Sequence, residues 1–394
     1  MNCVSTLSTL RNTSAALEDV LARSAAALGP GGADLAVVFS SSHHADGLGR
    51  VAGQLRSRGV ARHVLGCTGE SIVGEDQEVE GSSALCLWLI RLPGVELTPL
   101  RLTFDGAEVR GLKERPALGV DGGPEIERTV LLLGDPFSFP ADHFLKKMQE
   151  KSPGVRVLGG MASASQVPGG NRLLLDDAAH EDGAVAIEVS GPVTIRTVVS
   201  QGCRPIGRPM IVTKSDKNVI REIGRRPALE VLRETFDELP AHDQELVQQG
   251  LHIGRVINEY QESFQRGDFL VRNVLGADES GGIAITDVIR VGQTIQFHVR
   301  DAATADEDLD SLLESERQSR PGGVVRGALL FSCNGRGTRL FSIPNHDIGL
   351  LHKVLGSVPV AGFFAMGEIG PIGGQNFVHG FTASVVLFEE PGSD

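Results

Sequence analysis

The stretch from Gly362 to Gly380, GFFAMGEIGPIGGQNFVHG, sets six glycines around one carboxylate, Glu368. Just upstream, FSCNGRG from Phe331 to Gly337 carries Cys333, Asn334 and Arg336. Glycine exposes backbone N–H groups to an anion, and a carboxylate receives an ammonium, so the pair suits a zwitterion. Arg336 adds a guanidinium able to pair with a ligand carboxylate or with Glu368 itself. A polyphosphate fits badly, because a Walker loop puts Lys where this sequence has Glu368. The other reading of Gly-Glu is a plain β-turn with an exposed carboxylate. Cys333 is open to three roles: nucleophile, polar contact or small buried residue. Free Cys is among the most buried types, and a catalytic thiol needs a His beside it. His346, His352 and His379 share the stretch, with His379 placed to orient the loop.

The candidate ligand-binding residues are Cys333, Asn334, Arg336, Gly367, Glu368, Gly370, Asn376 and His379, with Gly69 and Glu70 as an earlier Gly-Glu copy. On this reading Arg336→Ala and Glu368→Ala each weaken a ligand response without unfolding the protein. No residue is assigned as catalytic or as a metal ligand. The five cysteines, Cys3, Cys67, Cys86, Cys203 and Cys333, form no CxxC pair or zinc spacing. His43 and His44 are adjacent, which points them apart rather than at one metal.

These residues sit in a repeating frame. Three apolar runs, LAVVFSS from Leu35, TVLLLGD from Thr129 and GALLFSC from Gly327, each lead through a polar loop into a helix-period pattern. The apolar positions are Leu48, Val51, Ala52 and Leu55; Ala141, Phe144, Leu145 and Met148; and Ile348, Leu351 and Leu355. Each pattern is followed by a run ending in glycine (HVLGCTGES, RVLGGMASAS, PVAGFFAMGEIG) and then by a closing strand. The spacing is that of a β-α-β unit. The fold class is therefore mixed α/β: two modules with mixed β-sheets, helices outside, and divergent internal β-α-β repeats. The stretch from Pro192 to Pro321 reads as an insertion. It holds strands, a helix with Pro227 near its first turn, an acidic solvated helix or linker at TADEDLDSLLESERQS, and a basic helix start at Arg221, Arg225 and Arg226. The boundary falls near CRPIGRPM, giving modules over 1–210 and 211–394.

Lys+Arg is 37 against Asp+Glu 50, a formal charge of −13, which argues against nucleic acid and anionic lipid as partners. The chain has no secretory signal and no apolar run long enough to span a membrane, and with scattered cysteines it reads as cytoplasmic.

The run GFFAMGEIGPIGGQNFVHGFTASVVLF with the upstream ALLFSCNGRG resembles the C-terminal module of the FIST family. LAVVFSSSHHADG, HVLGCTGESIVG, RTVLLLGDPFSFPADHFLKKM and RVLGGMASAS resemble its N-terminal module. The resemblance covers nearly the whole chain. It implies an intracellular sensory, signal-transducing module, not an enzyme, that binds a small ligand such as an amino acid or related metabolite. Output domains joined to such modules elsewhere find no room here, so the signal is expected to pass to a separate partner. No cofactor is expected, although some relatives bind haem as gas sensors. A haem-binding sensor and a Cys333-dependent enzyme are the alternatives.

Overall fold

The computed structural model of the chain describes residues 1–111, 128–319 and 322–390; Pro321, the end of the inserted stretch, lies outside them. The chain divides into two compact units. One contains Met1–Val199, Asp310–Val378 and Thr382–Asp394, and the other contains Ser200–Leu309 with His379–Phe381. The third repeat thus belongs to the same unit as the first two.

Each repeat opens with an inner strand: Ala33–Ser41, Arg128–Gly134 or Val325–Cys333. A helix follows (Leu48–Ser57, Ala141–Lys151, His346–Leu355), then a return strand (Ala61–Gly69, Arg156–Met161, Val360–Ala365) parallel to the opening one. The closing strands Leu85–Arg91, Ala184–Ser190 and Thr382–Glu389 run antiparallel on the other side.

Between return strand and closing strand lies a hairpin, and none of the three hairpins docks on its own repeat. Ile72–Gly74, with Gln77–Val79, pairs with the third repeat's return strand. Leu173–Leu175, with Ala178–His180, pairs with the first's. Glu368–Ile372, which leads into Gln375–His379, pairs with the second's. The exchange is cyclic and ties three mixed sheets together.

Strand alternation explains why the sheets need two cores. Leu35, Val37 and Phe39, Leu131 and Leu133, and Leu329 and Phe331 all project into one shared inner core. Ala36 and Val38 face outward under the helix Leu48–Ser57 and the helix Thr13–Leu28. Val130 and Leu132 face outward under Ala141–Lys151. At the centre, Phe39, Phe331 and Phe363 have ring centroids 5.0 to 6.2 Å apart.

The glycine shared by the three return strands has a steric cause. A Cβ at Gly66, Gly159 or Gly362 would lie 2.3, 1.9 or 1.8 Å from the carbonyl oxygen of Val38, Leu132 or Leu330, its register partner on the opening strand. These glycines let two parallel strands approach; they do not face a ligand. Gly362→Ala is expected to cost at least about 3 kcal/mol, the upper end for overpacking. Gly53→Ala, in open space on a helix, should instead stabilise by about 0.5–1 kcal/mol. Urea denaturation of both variants checks the contrast, and equal effects would refute the steric account.

The second unit is a small antiparallel barrel. Its ring closes because Cys203–Asp216 pairs with both Thr294–Arg300 and Val219–Ile223, turning the corner through a register shift between Ile206 and Met210. Two expectations for the inserted stretch are corrected. Arg221 and Arg226 lie on the strands of a hairpin whose turn holds Arg225 at φ 66°, not on a helix start. The acidic segment is a helix, Ala302–Gln318, but Ala305, Leu309 and Leu313 are buried, so an apolar stripe at every fourth residue runs beneath its charges.

Candidate functional site

Glu368 is 0% exposed, so the reading of a turn with an exposed carboxylate does not hold. The residue following each repeat glycine fixes its structural equivalents: Phe363 pairs with Ile72, Cys67 with Leu173, and Gly160 with Glu368. Glu368 therefore occupies a core position that the sister hairpins fill with aliphatic side chains. Its hairpin strands are five residues long against three in the first repeat. Gly69-Glu70 lie three and four residues after Gly66, whereas Gly367-Glu368 lie five and six after Gly362, so the two dipeptides are not equivalent. Glu368 Oε2 accepts from the Thr382 hydroxyl at 2.7 Å and its N–H at 3.2 Å, while Oε1 has no hydrogen-bond partner. Burial pushes this carboxyl up to about 8, against the pull of Thr382 and the Arg336 charge.

Arg336 is also 0% exposed. It pairs neither with Glu368 nor with an open site. Its Nε and Nη2 donate to Asp347 at 2.7 and 2.8 Å, its guanidinium lies 5.2 Å from the Phe341 ring, and Nη1 has no partner. Asp347 also accepts from Ser332 at 2.6 Å and lies 2.9 Å from His346 Nδ1. Burial raises the Asp347 carboxyl, but Arg336, His346 and Ser332 outweigh it and hold the group well below the usual range. His346 stacks on Phe341 with centroids 3.3 Å apart.

The other sequence candidates disperse. Asn376 uses both ends of its amide on the backbone of Val157 and Val155, at 2.9 and 2.8 Å. Gly367 accepts from the Met161 N–H, and Gly370 leaves room for Val199 and Ser384. Cys333 is half-buried at the end of its strand. Asn334 accepts at its carbonyl from Arg339, which forms an ion pair with Glu70. Gly69 packs against Phe363, and His379 is buried and groups with the second unit. His44 is buried between Thr13 and Ser83, at 2.9 and 3.0 Å, and burial lowers its pKa. Among the described residues no group of three or more His, Cys, Asp or Glu is placed to hold a metal ion.

A concave site lies elsewhere in the first unit. A cavity of about 700 Å3 is walled by Arg11, His43, Glu78, Glu80, Ser83 and Asn345, among others. The first repeat's hairpin supplies Glu78, and the third repeat's helix start supplies Asn345. Glu78 is 6% exposed. Its N–H donates to Asn345 Oδ1 at 2.7 Å, and its Oε1 accepts from the Ile348 N–H at 2.9 Å. Oε2 has no partner. Burial and the Asp347 charge push the Glu78 carboxyl up to about 7. Glu80 anchors the loop after Arg336 through Thr338, whose hydroxyl and N–H lie at 2.8 and 3.0 Å. Through these bonds Glu78 and Glu80 tie the cavity wall to the segment that carries Arg336, His346 and Asp347. The sequence gives little sign of Glu78: QEVEG alternates like a solvent-edge strand, and only the exchanged hairpin turns its first acid inward.

Among the described residues no helix is long and apolar enough to cross a membrane. The FIST N domain pattern matches residues 34–226 and the FIST C domain pattern residues 228–371. An uncharacterized protein of Mycobacterium tuberculosis is 41% identical over 361 residues, covering 90% of this chain and 91% of its own length. An uncharacterized protein of Mycobacterium bovis is 40% identical over 360 residues, covering 90% of both. The chain belongs to the FIST family, with its N and C domains in tandem.

Proposed function

We propose that this chain is an intracellular sensory module that binds an amino acid or related small metabolite in the Glu78 cavity and signals through a separate protein. FIST domains are associated with sensory signal transduction. The observation that carries the reading is the cavity itself. It has a ligand-sized volume, a polar wall, and in Glu78 a buried wall residue whose Oε2 has no hydrogen-bond partner. Arg11 and Glu78 supply opposite charges on that wall, as the two ends of a zwitterion require. The polar wall favours a small polar guest over a porphyrin, whose macrocycle is apolar. The buried free thiols Cys3, Cys67 and Cys86, all pushed upward by burial, suit a reducing compartment.

A thermal-shift series with the common amino acids tests this. A true ligand raises Tm in step with RT ln(1 + [L]/Kd), about 2.7 kcal/mol at a hundredfold excess over Kd. Glu78→Ala should remove the response. A shift that survives Glu78→Ala places the ligand elsewhere, and no shift with any amino acid refutes the amino-acid assignment.

A further inference from the structure

We propose that the cavity takes a ligand with a primary ammonium head, which displaces a proton from Glu78 and so fixes the N-terminus of the helix His346–Leu355. The inference rests on the cavity being the ligand site and names the chemistry and the switch within it.

Three observations carry it. The charged wall is predominantly acidic: Asp76, Glu78 and Glu80 stand with Arg11 and His43. Glu78 is the buried member, and its Oε2 is unpartnered. Its other oxygen does a second task. Asn345, at the helix N-cap with φ 59°, makes no side-chain cap to its own helix. Its Oδ1 is taken by the Glu78 N–H. The cap comes instead from Glu78 Oε1 to Ile348 N–H, supplied by a hairpin 270 residues away in sequence. A carboxylate there also complements the positive helix end.

The charged groups facing Glu78 oppose each other. Asp347 repels the ionised form, while His346 and the backbone N–H groups of Ile348 and Asp347 favour it. Arg336, also in the field of Glu78, is already committed to Asp347. Asp76 and Glu80 add negative charge on its own hairpin side, and Arg11 and His43 lie on the same wall. With burial the largest influence, Glu78 is held up to about 7 and carries its proton through the weakly acid range. An ammonium arriving at Oε2 reverses the balance. The Glu78 O–H bond breaks, the proton leaves to solvent, and the carboxylate holds the ligand N–H groups. The same carboxylate is then a stronger acceptor for Ile348 N–H.

The test uses 1,5-diaminopentane, succinate and acetamide as cationic, anionic and neutral probes on the full chain. It combines titration calorimetry in phosphate and MES with NMR of the Glu78 carboxyl carbon. The diamine is expected to bind with release of close to one proton near pH 6. Its affinity should rise about tenfold per pH unit below about 7 and level off above, as a slope of one proton requires. Glu78→Gln, which keeps the acceptor for Ile348 N–H, should flatten that slope. Diamine binding without proton release, an unaltered slope in Glu78→Gln, or preferential binding of succinate or acetamide overturns this inference and spares the ligand reading. A cavity whose resonances respond to none of the three probes overturns both.

Discussion

Arg336→Met is expected to lower the unfolding free energy by about 3–5 kcal/mol, the cost of stranding one partner of a buried ion pair. The sequence reading makes Arg336 a ligand contact whose loss leaves the fold intact. The buried geometry reverses that expectation, because Met would leave Asp347 charged with only Ser332 and His346 as partners. Asp347→Asn should cost a similar amount. The double variant should recover part of it, since the uncompensated charge goes and Asn keeps only one carbonyl oxygen for Ser332 and His346 to share. Urea unfolding of the cycle decides the matter; a loss under about 1 kcal/mol for Arg336→Met would show that the pair does not hold this region. The pH dependence has a definite sign. Asp347 is depressed in the folded state, so its contribution is full above the ordinary Asp range and fades as pH falls below it.

Glu368→Gln should have the opposite effect and stabilise the protein. The folded carboxyl is raised to about 8 from 4.5. Its contribution is therefore greatest below the unfolded pKa and is lost as pH rises through about 8. At pH 7 the unfolded chain gains from ionising a group that the fold keeps protonated. Gln removes that gain and mimics the neutral acid. The expected stabilisation is about 3 kcal/mol at pH 7, from 1.36 kcal/mol per pKa unit, and it shrinks to under about 1 kcal/mol at pH 5. Unfolding curves at pH 5, 7 and 8 check it, and a gain that does not grow with pH refutes it. Glu368 thus costs stability at a position where its two counterparts are Ile72 and Leu173.

Much of the frame is legible in the sequence. Leu35, Val37 and Phe39 alternate with Ala36 and Val38 because each strand has two buried faces, and the helix stripes follow from burying one side. The recurring glycine is legible too, though its cause, a carbonyl oxygen on the next strand, is not. The hairpins are where inference stops. Ile72–Gly74 is three residues long, too short for periodicity, and its pairing partner is set by tertiary contacts. That gap misplaces Glu368 against Glu70. It also hides Glu78, whose inward orientation depends on a helix start in the third repeat. The sequence offers Arg336 and Glu368 as ligand contacts; what it does not carry is that both lie wholly inside.

The cyclic exchange of hairpins has a consequence for how the chain is made. The first repeat cannot finish its fold when it leaves the ribosome, because its hairpin waits for a strand in the last repeat, while the first repeat's own sheet edge waits for the second. Long-range closure of this kind is slow and leaves strand edges open meanwhile. A single excised repeat would meet the same geometry between molecules. Each copy would lend its hairpin to the next, and three copies would close the ring, so its natural product is a swapped homotrimer.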